Sequence, residues 1–327
     1  MSTVSTMNEI FPGDGFHPMG PYGLGMRVPM IVISPWSKGG WVNSQVFDHT
    51  SLIRFIETRF GGGPLTETNI TPWRRAVTGD LTSAFDFDKP NGPQKFSLPS
   101  TDAFKPPAYD VFYDNFDVVP PADQAVPKQE PGIRPARALP YSLNAHGALQ
   151  DSDGSFHIDF ENTGSAAAVF QVRSGSDAHI PRTYTVEPGK SLSDSWDLGS
   201  IGIADCDLSV YGPNGFFRSF KGSVAGLRNA HLDVTATYDE AKNTITLAIA
   251  NGAPQSAKIT VRDNYTGKSI DLKIKSGGTG SNDWSLTRLS GWYDLVITVA
   301  DDSSIEFHFA GHVENGKDSI SDPALGR

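Results

Sequence analysis

Phe160-Glu161-Asn162-Thr163-Gly164 recurs as Ile249-Ala250-Asn251-Gly252, and this recurrence decides how the C-terminal half of the chain is read. Three further pairs follow at the same spacing. Asp194-Ser195-Trp196-Asp197-Leu198 answers Asn282-Asp283-Trp284-Ser285-Leu286, Asp207-Leu208 answers Asp294-Leu295, and Phe220-Lys221-Gly222-Ser223-Val224 answers Phe309-Ala310-Gly311-His312-Val313. The offset stays between 87 and 89 residues, which marks a tandem duplication of one structural unit. Between the anchors, Ser155–Phe160, Ala168–Arg173, Arg182–Val186 and Asp207–Tyr211 are short alternating segments that stop at Gly, Asn, Asp or Pro. That texture predicts antiparallel β-sandwiches. The expected modules span residues 140–225 and 226–318, with a tail at 319–327. Trp196 and Trp284 are expected to plug equivalent cores, because one large aromatic in a small sandwich packs between its sheets. Phe216 and Phe217, which follow the turn at 211–215, read as strand core, or as an aromatic tip that dips into lipid.

Working outward toward the N-terminus, residues 89–139 are crowded with proline from Pro90 to Pro135. Such a density forbids helix and interior strand, so this stretch reads as a linker. Its apolar pieces, Tyr109, Phe112, Tyr113 and Phe116, imply docking on a domain surface rather than free disorder.

Residues 1–88 have a third texture. Val28-Pro29-Met30-Ile31-Val32-Ile33-Ser34 is apolar on both faces, as a parallel strand covered by helices is, and the loop Pro35–Trp41 ends it. A helix is predicted over residues 50–60, with Leu52, Ile53, Phe55, Ile56 and Phe60 at helical spacing and Gly61-Gly62-Gly63 as its stop. Trp73–Val77 predicts a second, short helix. Ligands of open α/β sheets bind beyond the carboxyl ends of strands, which directs attention to the start of the first helix. Asp48 and His49 are the candidate catalytic residues there: His49 follows the strand, and Asp48 beside it has the chemistry to orient an imidazole. The same Asp48-His49-Thr50-Ser51 also reads as an ordinary capped helix start. Lys38-Gly39-Gly40 reads as a turn rather than a phosphate loop, and Arg74 and Arg75 as anion ligands or as a solvated face.

The run from Gly23 to Gly61, with Asn69–Arg75, Gly79–Phe87 and the repeated anchors, resembles the bacterial phospholipase C and acid phosphatase family of phosphoesterases, especially the phosphocholine-cleaving phospholipases C. The resemblance covers most of the chain. It implies an α/β fragment, the end of an alkaline-phosphatase-like domain, over residues 1–88, followed by two all-β sandwich domains. It also implies a phospholipid substrate, a secreted or periplasmic location, and a divalent metal and hydroxyl nucleophile supplied upstream. The family's acidic metal-binding motifs have no counterpart between Met1 and Tyr22, so the metal is expected in the full-length enzyme and none in this chain, which is expected to be inactive alone.

A net charge of −10 argues against nucleic acid and anionic membrane surfaces, whose phosphates would repel the chain. Zwitterionic lipid is not excluded, and peripheral membrane contact fits. No apolar run approaches the roughly twenty residues of a membrane span, and Met1–Glu9 lacks the basic start and apolar middle of a signal peptide. The single Cys206 rules out an internal disulfide. His17 reads as a surface residue. His146, His157, His179, His231, His308 and His312 have no metal-ligand spacing and receive no role. The rival function is a non-enzymatic tandem sandwich that binds a lipid or protein partner.

Overall fold

Asn162 and Asn251 show why the repeated anchors recur. Both are buried. The Asn162 amide donates to the carbonyls of Ala166 and Val186, each at 2.9 Å, and its oxygen accepts from Gly164 N at 3.0 Å. Asn251 does the same to Gln255 O (2.8 Å) and Ile274 O (3.1 Å), and accepts from Ala253 N at 3.0 Å. Each asparagine closes the turn after one strand and ties it to the end of another. Next to it, Gly164 is required for space, since a Cβ there would sit 2.4 Å from Pro140 O.

The structure is a computed structural model that describes the chain apart from residues 8, 17–18, 22, 26–27, 62–65, 90–99, 101–121, 126–130, 151–153, 176–179, 199–203 and 326–327. His17, His179 and the expected docking aromatics of the linker lie outside the described residues. In the first module the strands are β1 (Leu143–Leu149), β2 (Ser155–Asn162), β3 (Ala168–Ser174), β4 (Arg182–Val186), β5 (Lys190–Asp197), β6 (Asp205–Tyr211) and β7 (Phe217–Ser223). The second repeats them as β8 (Leu232–Asp239), β9 (Thr244–Asn251), β10 (Ala257–Asp263), β11 (Ser269–Ile274), β12 (Thr279–Ser285), β13 (Trp292–Val299) and β14 (Asp302–His312). Strict alternation of buried and partly exposed residues along β9 is the signature of a strand with one face in a core.

Each module faces a three-stranded sheet, β1-β2-β5 or β8-β9-β12, with a four-stranded one. Phe160 stacks on Tyr184 at 4.4 Å and meets Phe170 at 5.3 Å between the layers. The four-stranded halves do not end at the module boundary. β7 and β14 pair antiparallel, Phe217 opposite Ala310 through Lys221 opposite Glu306, which makes one eight-stranded sheet in the order β11-β10-β13-β14-β7-β6-β3-β4. The opposite layer is joined differently. β1 and β8 lie side by side without a backbone ladder, linked by Asn144 Nδ2 donating to Ala236 O (2.7 Å), Tyr238 OH donating to Leu143 O (3.0 Å), and His146 on Asp233. One hydrophobic core runs through both modules.

At the centre of this junction Arg218 is fully buried with no carboxylate beside it. Its guanidinium donates to Phe217 O (2.8 Å), Ala310 O (3.1 Å), Tyr238 OH (2.5 Å) and Tyr293 OH (3.1 Å), and lies over the rings of Phe216 and Phe309 at 4.5 and 4.7 Å. Carbonyl dipoles, hydroxyls and π faces from both modules replace the water that a buried cation loses. Phe216 is therefore interior, and Phe217 packs on the sheet face against Tyr211 and His308, so neither forms an exposed lipid-dipping tip.

Two expectations are corrected. Trp196 is 1% exposed, whereas Trp284 packs against the core only partly buried, its indole Nε1 enclosed but without a hydrogen-bond partner among the described residues. Arg182 lies over the Trp196 ring at 4.7 Å and Tyr184 meets its edge. The matching positions on β11 are Ile270 and Leu272, which supply neither a cation nor an aromatic ring. The second correction concerns Val28–Ser34, which forms no strand: Val28, Met30, Ile31 and Ile33 are 58–93% exposed. A parallel strand takes its ladder and both covering faces from other elements, and the described residues supply none at this stretch.

The rest of the N-terminal piece is docked on the first module. Residues 1–3 extend the open edge of β4, with Thr3 N donating to Thr185 O (2.9 Å) and Thr185 N to Met1 O (3.0 Å). Helix α1 (His49–Phe60) and helix α2 (Pro72–Val77) follow the predicted bounds closely. From α2, Trp73 and Val77 bury against Ala167, and the Trp73 indole donates to Thr185 Oγ1 at 2.9 Å. Pro135–Ala136, at the end of the expected linker, pairs with Ser319–Ile320 in the expected tail.

Candidate functional site

Helix α1 begins where Asp48, in extended backbone, accepts from Thr50 N at 2.8 Å and Thr50 Oγ1 at 2.6 Å, while Asp48 N donates to Ser51 Oγ at 3.1 Å. This is a reciprocal cap that satisfies donors at both ends of the first turn. The second carboxylate oxygen of Asp48 takes Arg74 Nη1 at 2.7 Å. Arg74 also reaches Glu9 with Nη2 at 3.1 Å, and Glu9 accepts from Thr71 Oγ1. Burial opposes ionisation of Asp48, but the bonds from Thr50 and Arg74 outweigh it and hold its carboxyl below the ordinary aspartate value. On the neighbouring turn, Arg75 grips Glu57 through two bonds of 2.9 Å and reaches Glu67 O at 2.6 Å. The Arg75 fork and the Glu67 amide bring Glu57 down to about 2.

His49 is the next residue, yet the carboxylate beside it is engaged elsewhere. Its ring is exposed and has no hydrogen bond or ion pair among the described residues. Asp48 therefore acts as cap and ion-pair partner, and the structure does not assemble the two as an aspartate–histidine dyad. Arg74 and Arg75, read from sequence as anion ligands or a solvated face, clamp α1 to α2. Their partners Glu9, Asp48 and Glu57 lie 65, 26 and 18 residues away, and no local spacing announces such pairs.

The acidic residues here do not fit a metal. Asp48 and Glu9 share Arg74, Glu57 is held by Arg75, and among the described residues no cluster of His, Cys, Asp and Glu is arranged to hold an ion. A cleft of about 550 Å³ between this piece and the sandwiches is lined by Ser83, Phe85, Asp86, Asp88, Arg137 and Asp318. Ser83 there is bonded to Gln45 and Asn43, and among the described residues no histidine lines the cleft to activate it. No helix among the described residues is long and apolar enough to cross a membrane.

The helix that begins at His49 carries exposed apolar residues. Leu52, Ile53, Ile56 and Phe60 of α1 are exposed, as are Val28, Met30, Ile31 and Ile33. An exposed apolar face of the kind that α1 carries normally meets another protein surface.

Comparison with known proteins accounts for both parts of the molecule. The bacterial phospholipase C C-terminal domain matches twice, over residues 135–223 and 232–312, the two ranges that hold β1–β7 and β8–β14. The Phosphoesterase family matches residues 1–62. The chain is similar to a non-hemolytic phospholipase C of Burkholderia pseudomallei, 47% identical over 99% of this chain and 47% of the relative. It is also similar to the non-hemolytic (43% identical, 94% of this chain, 44% of the relative) and hemolytic (39%, 99% and 48%) phospholipases C of Pseudomonas aeruginosa. It thus spans about half the length of these relatives. With the repeated C-terminal domain covering more than half of its residues and the phosphoesterase match preceding it, the chain belongs to the bacterial phospholipase C / phosphoesterase family.

Proposed function

We propose that this chain is the C-terminal part of a phospholipase C that hydrolyses the phosphodiester between diacylglycerol and the phospho-headgroup of phosphatidylcholine-like lipids, outside the cytoplasm. The observation that carries the proposal is the apolar surface exposed by α1 and by Val28, Met30, Ile31 and Ile33, in a segment whose family match is phosphoesterase. Such a face is the interior of a larger α/β domain, completed by sequence that the relatives have and this chain does not span. In that reading the nucleophile and a divalent metal belong to the remainder of the domain. His49 is this chain's contribution to the site: an exposed ring at the helix N-terminus, held in place by the Asp48 cap and the Arg74 clamp. The first sandwich docks the catalytic domain through Trp73, Val77 and the β4 edge.

The test is a chromogenic phosphocholine diester with a panel of divalent metals. The chain alone is expected to show no turnover, and a full-length parent is expected to turn over. In the parent, His49→Ala should lower kcat without lowering the melting temperature. Turnover by the isolated chain above its own His49→Ala control overturns the assignment of the nucleophile to the remainder. A full-length parent that binds lipid without hydrolysing it would favour the non-enzymatic binding module.

A further inference from the structure

The two layers of the double sandwich are joined by different means. In one, β7 and β14 share a backbone ladder. In the other, β1 and β8 belong to separate sheets and meet only through side chains. The first is a continuous spine, and the second is a seam bridged by side-chain hydrogen bonds.

The ionisable link across that seam is His146 of β1. Its Nε2 bonds Asp233 of β8, and its Nδ1 lies 3.9 Å from Asp159 of β2, the residue directly opposite it in the ladder. The groups facing it can be named strand by strand. Asp159 lies on β2, with His157 and Glu161 one step to either side on the same face. Asp233 is the charged residue of β8 at the seam, and His231 precedes that strand and acts on Asp233. Beneath, Arg218 reaches Asn144 Oδ1 at 3.5 Å. Carboxylates from both modules thus converge on one imidazole, an arrangement that favours its charged form.

We propose that the β1–β8 seam is a pH-operated latch in which protonated His146 ties the two modules together and its deprotonation loosens that layer while the β7–β14 spine remains intact. The hydrogen bond to Asp233 raises the His146 pKa against the opposing effect of burial, with Asp233 and Asp159 adding Coulombic support. A raised folded-state value means that the stabilisation is fully present below the ordinary histidine value of about 6.5. It is lost as pH rises through the raised one. Parting of the seam would expose the unpaired edges of β1 and β8 and the apolar core behind them.

Amide hydrogen exchange on the full chain tests this, read as protection factors corrected for the intrinsic pH dependence of exchange. Protection in Leu143–Leu149 and Leu232–Asp239 is expected to fall by roughly threefold to tenfold between about pH 6 and pH 9, with Phe217–Ser223 and Ile305–His312 unchanged. His146→Gln should show the low protection at both pH values, and His146→Arg, charged throughout, the high protection at both. Unchanged spine protection in each variant establishes that it has folded. Equal seam protection at the two pH values in the unmodified chain, or the same fall in His146→Gln, overturns the latch. None of these readouts depends on lipid hydrolysis, so the outcome is separable from the proposed activity.

Discussion

The two modules share a fold and differ in what they touch. Asn162 and Asn251 make the same buried bonds. At the faces the copies diverge. Ala167 and Val169 of the first module receive Trp73, Val77 and Val4, whereas the corresponding second-module residues are Ser256 and Lys258, both exposed. On the last strand, Arg218 of the first module corresponds to Phe307 of the second. The arginine is accommodated inside by groups of both copies, among them the Tyr238 and Tyr293 hydroxyls and the Ala310 carbonyl of the second. The duplication has kept the contacts that close each sandwich and changed those that meet a neighbour.

The sharpest way to break this comparison is at the tryptophans. Trp196→Ala should cost about 3–5 kcal/mol, the usual penalty for deleting a large buried aromatic. Trp284→Ala should cost about 1–2 kcal/mol, since that residue is only partly buried. Urea unfolding of the two variants measures the difference, and equal penalties would mean that the second indole is as enclosed as the first.

A smaller effect, expected to be equal in the two copies, follows from the asparagines. Asn162→Ala and Asn251→Ala each leave buried carbonyls unpaired and should cost about 1–3 kcal/mol. A loss in one module only would show that the shared clip has been replaced by other contacts in the second copy.

The smallest effect lies in the N-terminal piece, where ion pairs clamp the helices. Glu57 and Asp48 have lowered values in the folded chain. Their contribution is therefore present above the unfolded carboxylate range and is lost as pH falls, for Glu57 between 4.5 and about 2. Acid should release α1 from α2 over that window, visible as a change in tryptophan fluorescence that Glu57→Gln diminishes. An identical acid transition in Glu57→Gln would place the sensitivity elsewhere.

Much of this was legible in the chain itself. Four repeated anchors announced the duplication, alternation located the strands, and Asp48 with Gly61 bracketed α1. The candidate site was less legible. Asp48 and His49 were found by position relative to Val28–Ser34, a run that reads as strand only in a larger sheet. Arg74 looked like a surface charge because Glu9 and Asp48 lie far off in sequence.

The order of residues was enough for the two helices, the sandwich strands, the number of copies and the family, because caps, alternation and turn residues act locally and a repeat is visible in the order itself. Tertiary structure alone decided that the two copies fuse through β7 and β14, that a lone arginine is housed at their junction, and that the carboxylate beside His49 is spent on Arg74. Each of these depends on groups separated by tens of residues, whose encounter is set by how sheets pack and not by any local pattern.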